Sequence, residues 1–232
     1  LHLYGHSFPT RRSSDLTESV EKNYKDYMKF TFMYAWLSGW CTVCLFCLYQ
    51  PFMYIWVGEK LLFPMLDVVL ICIYFYSLTM GDVRSQYSAA IGLFWENRVY
   101  VLVEAIANIV LNYFLGKKFG VHGIIIATWL SIFFINFGWG SSIIFKYYFV
   151  EYNKIEYYAK QMLYFLNTII ATVLTYVITY HINGNIYVKL IGSAIVCMIV
   201  PNIYFLIVYY RTNIEKESYD FIKTNILVIL KR

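Results

Sequence analysis

The stretch FTFMYAWLSGWCTVCLFCLYQPFMYIWV, residues 30–57, contains no Asp, Glu, Lys or Arg over 28 residues. A helix needs about 20 predominantly apolar residues to cross a hydrocarbon core of roughly 30 Å. At 1.5 Å per residue this run would form about 42 Å of helix, which is longer than the core and indicates a membrane-spanning helix that is tilted or kinked. Pro51 is the expected position of the kink, because proline removes a backbone hydrogen bond.

Five further apolar runs follow along the chain. Two of them contain a single carboxylate, Asp67 in the run 61–80 and Glu104 in the run 99–115. The other three contain no charged residue and cover residues 121–145, 161–180 and 190–210. A transmembrane β-barrel would need strands of about ten residues with alternating polarity, and these runs do not alternate. Because backbone groups in lipid must be hydrogen-bonded within the segment, we predict an all-α polytopic transmembrane bundle of about six spans.

The composition of the whole chain supports the same class. Of its 232 residues, 60% are hydrophobic and 14% are charged, whereas a soluble domain carries about 25% charged residues. So few polar side chains cannot cover a water-facing surface, which excludes an ordinary soluble domain. The formal net charge of +5 comes from Lys and Arg residues scattered between the apolar runs. We therefore expect no nucleic-acid partner.

The positions of Lys and Arg predict the orientation in the membrane. Thirteen of them lie in one alternate set of polar segments, 17–29, 81–98, 146–160 and 211–232. Four lie in the opposite set, 58–60, 116–120 and 181–189. Since cytoplasmic loops carry the excess of Lys and Arg, we expect a multi-pass protein with both ends in the cytoplasm.

The candidate functional residues are charges inside or beside the apolar runs. Ionisable residues within a membrane span are costly to bury and commonly functional, which selects Asp67 and Glu104. The alternative is that each carboxylate caps its helix or reaches the interface. Arg84 and Arg98 lie between the second and third runs, and arginine suits phosphate because its planar fork donates two parallel hydrogen bonds. The alternative is that they only set the orientation.

Cys41, Cys44 and Cys47 form a C-x-x-C-x-x-C pattern in the middle of the first run. In an uncharged spanning helix we interpret these cysteines as small apolar side chains, and we expect no metal site and no cofactor. The chain contains no Walker loop, H-E-x-x-H, G-x-S-x-G or G-x-G-x-x-G motif. We therefore expect a protein that is not an enzyme.

Three stretches carry a resemblance to a known family: KNYKDYMKFTFMYAWLSGW, LYQPFMYIWVGEKLLF and AAIGLFWENRVYVLVEAIANIVLNYFLGKKFGVHGIIIATWLS. Their motifs are P-F-x-x-x-W-x-G, N-x-x-L-N and K-x-x-G-x-x-G-I-x-x-A-T, in this order. In these features the chain resembles the second half of a bacterial polysaccharide flippase, a repeat-unit exporter of O-antigen or capsule in the MOP exporter superfamily. The resemblance covers most of residues 17–149, which it assigns to part of the second lobe. It assigns 150–210 to a terminal helix pair, and we expect 211–232 to be a cytoplasmic amphipathic tail.

The resemblance implies a function in surface polysaccharide biosynthesis at the bacterial cytoplasmic membrane. The substrate would be an oligosaccharide linked to undecaprenyl pyrophosphate, moved by alternating access, with membrane lipids and an N-terminal lobe of the same protein as partners. Arg84 and Arg98 would contact the pyrophosphate or sugar acid. Glu104 and Asp67 would respond to a coupling cation.

Three alternatives stay open. One is another branch of the superfamily, a lipid II flippase or a drug and cation exporter. Another is a membrane-embedded enzyme of polysaccharide assembly, although the predicted outer loops are short. The last is a structural membrane subunit.

The front of the chain differs from the rest. The stretch HSFPTRRSSDL, residues 6–16, resembles one translated frame of a sequencing adapter. We therefore interpret residues 1–16 as an artefactual, disordered leader joined to a flippase gene that lacks its first lobe.

Overall fold

We describe the protein from a computed structural model, which describes residues 19–209. The predicted leader, 1–16, and the predicted amphipathic tail, 211–232, lie outside these residues. Six helical segments of the described chain are long and apolar enough to cross a membrane, and no strand occurs there. The prediction of an all-α bundle with about six spans is confirmed, and the protein is a multi-pass membrane protein.

Eight α-helices form the described bundle. In chain order they are α1 Val20–Val57, α2 Met65–Met80, α3 Asp82–Ala90, α4 Phe94–Phe119, α5 Val121–Leu130, α6 Gly140–Tyr147, α7 Lys154–Tyr180 and α8 Ile186–Tyr209. A 3-10 turn, Glu59–Leu61, follows α1, and a π-helix, Ser131–Trp139, joins α5 to α6. The helices α2 and α3 together form one span, and α5, the π-helix and α6 together form another. With α1, α4, α7 and α8 as single-helix spans, the described elements make six spans.

The first helix begins well before its apolar run. The Ser19 hydroxyl caps it by accepting a hydrogen bond from the Lys22 N–H, and a side-chain cap satisfies one of the unpaired donors at a helix start. Its first turns carry an exposed ion pair in which Lys25 Nζ lies 2.8 Å from Glu21 Oε1. Hydropathy marks the part of a helix that lies in lipid, so it missed these polar turns.

The connection between the second and third spans is mostly helical. The sequence predicted a polar connection over 81–98, whereas α3 occupies Asp82–Ala90 and α4 begins at Phe94. Gly92, with φ 80°, lies at the turn between these helices. The second span also begins later than the predicted residue 61, because Pro64 precedes the first turn of α2. Polar helices give no hydropathy signal, which is why the sequence did not reveal α3.

The helix α1 is the centre of the bundle. It packs on α2, α7 and α8. Gly39 allows a close approach to the last two of these helices, since a Cβ there would lie 2.7 Å from Thr168 Oγ1 of α7 and 3.2 Å from the Phe205 ring of α8. Small residues at such crossings let helix backbones approach in membranes. By contrast α4 packs mainly on α5 and the π-helix, and Tyr100 is its only buried residue.

Candidate functional site

The side chain of Arg84 is buried inside the bundle. It projects from α3 and is 1% exposed. Its Nη1 donates to the Tyr100 hydroxyl of α4, and its Nη2 donates to Asn136 Oδ1 of the π-helix, each at 2.7 Å. The guanidinium therefore ties three elements together.

Asn136 connects Arg84 to Glu104. Its Nδ2 donates to Glu104 Oε2 at 2.9 Å, while its Oδ1 accepts from the guanidinium. The amide has one donor side and one acceptor side, so the cation fixes its oxygen and the carboxylate fixes its nitrogen. Arg84 and Glu104, selected separately from the sequence, thus belong to one polar chain, Tyr100–Arg84–Asn136–Glu104.

Within the part of the chain that the structure describes, the charge of Arg84 has no direct counter-ion. Among the described residues no carboxylate lies within the 4.0 Å of an ion pair with its guanidinium, and its Nε has no hydrogen-bond partner. Taking an ion out of water costs several kcal/mol. The half-buried Glu104 is linked to the guanidinium through Asn136, so Arg84 and Glu104 form an amide-bridged ion pair.

Two glycines make the space that the guanidinium occupies. A Cβ on Gly140 would lie 2.5 Å from Arg84 Nη1, and one on Gly81 would lie 3.0 Å from Asn136 Oδ1. The π-helix contributes the bridge itself. Such helices are rare and frequently occur at functional sites.

The polar chain includes a carboxylate within a spanning helix. At 1.5 Å per residue, Glu104 lies about 7.5 Å along α4 from residue 99, where the apolar run of that helix begins. Ionisable residues within spans are costly to bury and commonly functional. Glu104 is only partly buried, so it is the accessible end of the chain.

Asp67 lies apart from this polar chain. It is buried in the first turn of α2 and pairs with His122 Nδ1 in the first turn of α5. The pair joins two helix starts at the end of the bundle opposite α3. The structure therefore does not bring Asp67 and Glu104 together, and Asp67 has a packing partner that the sequence did not indicate.

Arg98 lies on the exposed face of α4. Its guanidinium carbon lies 3.2 Å from the centre of the Trp95 ring, one turn earlier on the same helix. Trp95 is exposed, at 72%. Among the described residues no hydrogen bond or ion pair joins Arg98 to the Arg84 chain, so the two arginines do not form one anion site in this conformation.

Asn136 is the residue that sequence reasoning missed. It is the one amide in the uncharged run 121–145. A lone amide in such a run was the available signal, because an amide in lipid needs a partner. The sequence could not show that its partners are Arg84 and Glu104, which lie 52 and 32 positions away.

The family-like motifs have local structural roles. Gly58 ends α1 with φ 80° and donates its N–H to the Tyr54 carbonyl at 3.2 Å. Gly120, with φ 62°, makes the turn between α4 and α5. At Gly123 a Cβ would lie 2.0 Å from the Leu115 carbonyl oxygen. The glycines of these motifs are therefore explained by helix ends and close packing.

The asparagines of N-x-x-L-N, Asn108 and Asn112, bond to each other one turn apart, with Nδ2 of Asn112 donating at 2.7 Å. They follow Glu104 at a spacing of four residues. Positions four apart lie on one face of a helix, so α4 carries a continuous polar stripe. Comparison of the chain with protein-family models, curated proteins and solved structures finds no match.

Proposed function

We propose that the chain is part of a transporter that moves an anionic, lipid-linked oligosaccharide across a bacterial cytoplasmic membrane by alternating access. The carrier of the substrate would be undecaprenyl pyrophosphate. The observation that supports this best is the chain Tyr100–Arg84–Asn136–Glu104, a cation and a carboxylate joined by an amide inside a helix bundle. The resemblance of residues 17–149 to polysaccharide flippases supports the substrate class.

The arginine suits the anionic end of such a substrate. A guanidinium binds phosphate oxygens through parallel N–H donors. A buried charge is expensive, and neither helix formation nor apolar packing requires Arg84 to lie 1% exposed in the bundle. In a transporter, this buried cation would bind the anionic substrate when the bundle opens.

The helix α4 is the element whose movement would expose Arg84. It carries both Tyr100 and Glu104, which are the hydrogen-bond acceptor of Arg84 and the carboxylate beyond Asn136. It is also the least buried span, with 6% of its apolar window buried. Displacement of α4 from the π-helix would therefore break the Arg84–Tyr100 and Asn136–Glu104 hydrogen bonds in one step and leave Asn136 as the remaining partner of the guanidinium.

This arrangement links a cation to the anionic substrate. A cation that neutralises Glu104 weakens its bond to Asn136, because hydrogen bonds to charged groups are the stronger ones. The guanidinium then loses its compensating charge and favours a pyrophosphate instead. Cation at Glu104 and substrate at Arg84 would bind with positive cooperativity.

Lipid binding by the purified full chain in nanodiscs tests the proposal. We expect the chain to prefer polyprenyl pyrophosphate over polyprenyl alcohol, and Arg84→Gln to weaken that binding about tenfold, which equals about 1.4 kcal/mol. Lys60→Gln is the matched control, because Lys60 is an exposed cation at the other end of α1–α2. Equal binding by Arg84→Gln and the unchanged chain, or no preference for the pyrophosphate lipid, would refute the proposal.

The orientation belongs to the same proposal. The excess of Lys and Arg at one end of the bundle supports cytoplasmic termini. A fluorescent-protein fusion after Arg232 should fluoresce and an alkaline phosphatase fusion there should be inactive. Fusions truncated after Asn183, between α7 and α8, should behave in the opposite way. The reverse pattern would contradict the orientation.

A further inference from the structure

Two buried hydroxyl groups, on Thr31 of α1 and Tyr76 of α2, have no hydrogen-bond partner among the described residues. Their residues are 3% and 0% exposed. Taking a hydroxyl out of water without a new hydrogen bond costs free energy. Buried polar groups in native proteins are therefore almost always bonded, either to protein or to ordered water. These two hydroxyls indicate a ligand between the helices.

Both residues line one small cavity between α1, α2 and α7. Gln161 forms the wall on α7, and the other lining residues are Tyr34, Ala35, Ser38, Thr79, Met80 and Val83. Most of the lining residues are buried and none of them is exposed. The cavity therefore lies inside the bundle and not on a lipid-facing surface.

The other hydroxyl groups around the cavity already have partners. Ser38 Oγ donates to the Tyr34 carbonyl at 2.6 Å, and Thr79 Oγ1 donates to the Tyr76 carbonyl at 2.8 Å. The Tyr34 hydroxyl accepts from Gln86 Nε2 at 3.2 Å. The hydroxyls of the cavity wall that lack a partner are thus those of Thr31 and Tyr76, one on each of two neighbouring helices.

The size and the charge of the cavity select its ligand. A volume of about 10 Å³ is open to the centre of a water-sized molecule, and one water needs about 10–15 Å³ measured in this way. The cavity is therefore far smaller than the pockets that hold organic ligands. No lining residue is an Asp, Glu, Lys, Arg or His, so no charge is present there to balance an ion.

We propose that this cavity is the binding site of a single ordered water molecule, which joins Thr31 Oγ1 of α1 to the Tyr76 hydroxyl of α2. A water can donate to one hydroxyl and accept from the other, because each hydroxyl is both a donor and an acceptor. Buried waters make about three hydrogen bonds, and the amide of Gln161, 2% exposed on the same wall, is the group on α7 that can supply another. The site does not include the Arg84 chain, so it does not depend on the proposed transport function.

The sign of the effect of Thr31→Val on stability tests the proposal. Valine has nearly the shape of threonine but lacks the hydroxyl. With a water bound, the substitution removes one partner of that water and leaves a buried polar group less well satisfied. We expect the melting temperature of the full chain in detergent to fall by about 2–4 °C. In a dry cavity the same change would remove an unsatisfied hydroxyl, so a higher or unchanged melting temperature would overturn the proposal.

Thr42→Val is the matched control. Thr42 is also a buried threonine of α1, but it does not line the cavity, and its Oγ1 donates to the Ser38 carbonyl of its own helix at 2.7 Å. That carbonyl keeps its backbone hydrogen bond in the variant, so we expect a smaller shift of the melting temperature than in Thr31→Val. Equal falls in the two variants would reflect threonine replacement in general and would also overturn the proposal.

An experimental structure of the full chain in nanodiscs, at a resolution that shows ordered water, locates the ligand directly. We expect density at hydrogen-bonding distance, about 2.5–3.0 Å, from both Thr31 Oγ1 and the Tyr76 hydroxyl. Absence of this density in a map that shows other buried waters would refute the site. A Thr31 hydroxyl turned towards the Tyr27 carbonyl of its own helix would refute it as well.

Discussion

Gly140 lies directly against the guanidinium of Arg84. A Cβ at this position would lie 2.5 Å from Nη1 and 2.9 Å from Cζ of the arginine. The absence of a side chain at one residue of α6 is thus a condition for burying the cation of α3. Gly140 has no side chain that could bind a ligand, yet the position of the Arg84 guanidinium in the candidate site depends on it.

Gly140→Ala should destabilise the bundle. The added methyl group cannot coexist with Arg84 in its present position, and overpacking of this kind costs about 1–3 kcal/mol. Gly138→Ala is the control, because its Cβ would meet only the Phe133 carbonyl oxygen at 3.4 Å. In a thermal melting experiment in detergent, we expect a lower melting temperature for Gly140→Ala and an unchanged one for Gly138→Ala. Equal midpoints for the two variants would show that Arg84 is not confined by Gly140.

Asn136 and Arg84 should be strongly coupled in stability. Asn136→Leu removes the bridge and leaves two charges without it, and each hydrogen bond to a charged group contributes about 1.5–3 kcal/mol. Arg84→Met removes the cation, so Asn136→Leu should cost less in that background. A double-mutant cycle should give a coupling of about 1–3 kcal/mol.

A second cycle controls for general effects on the bundle. Asn202 of α8 accepts a hydrogen bond from Trp36 at 2.9 Å and takes no part in the Arg84 chain. Asn202→Leu should therefore be additive with Arg84→Met to within about 0.5 kcal/mol. If the effects of Asn136→Leu and Arg84→Met on the unfolding free energy were additive as well, the bridge between Arg84 and Glu104 would be disproved.

His122→Leu should destabilise the opposite end of the bundle. It leaves the buried Asp67 carboxylate without its partner, and an unsatisfied buried polar group costs about 1–3 kcal/mol, more when charged. Asp67→Asn should recover part of that loss in the double variant. His181→Leu, a change of an exposed histidine at the same end, should shift the unfolding free energy by less than about 0.5 kcal/mol. Similar losses of unfolding free energy for His122→Leu and His181→Leu would contradict the pairing of Asp67 with His122.

Gly123→Ala should be the most damaging of the glycine substitutions. Its Cβ would lie 2.0 Å from the Leu115 carbonyl oxygen, which is backbone and cannot rotate away. We expect a loss of about 3 kcal/mol or more, above the usual range for overpacking. In Gly116→Ala the nearest atom, at 3.1 Å, belongs to the flexible Ile124 side chain. Yields of folded protein should therefore fall for Gly123→Ala and stay near normal for Gly116→Ala.

The sequence by itself determined the class of the fold. Lipid imposes a fixed apolar length on every spanning helix, so the runs that contain Asp67 and Glu104 could be identified without any tertiary information. Exact helix limits were less predictable, since they depend on local caps such as Ser19 and on polar helices such as α3. The same hydropathy rule selected both carboxylates as candidates but could not identify the hydrogen-bond partners that the structure gives them, Asn136 for Glu104 and His122 for Asp67.

Only the tertiary structure decided what those side chains do together. The contact of Arg84 with Asn136 and that of Trp36 with Asn202 join residues on different helices, far apart in the chain. Which faces of two apolar helices meet depends on the fit of their side chains, since lipid and protein interior are equally apolar. Hydropathy therefore predicted the spans, whereas packing alone placed Asn136 between a cation and a carboxylate.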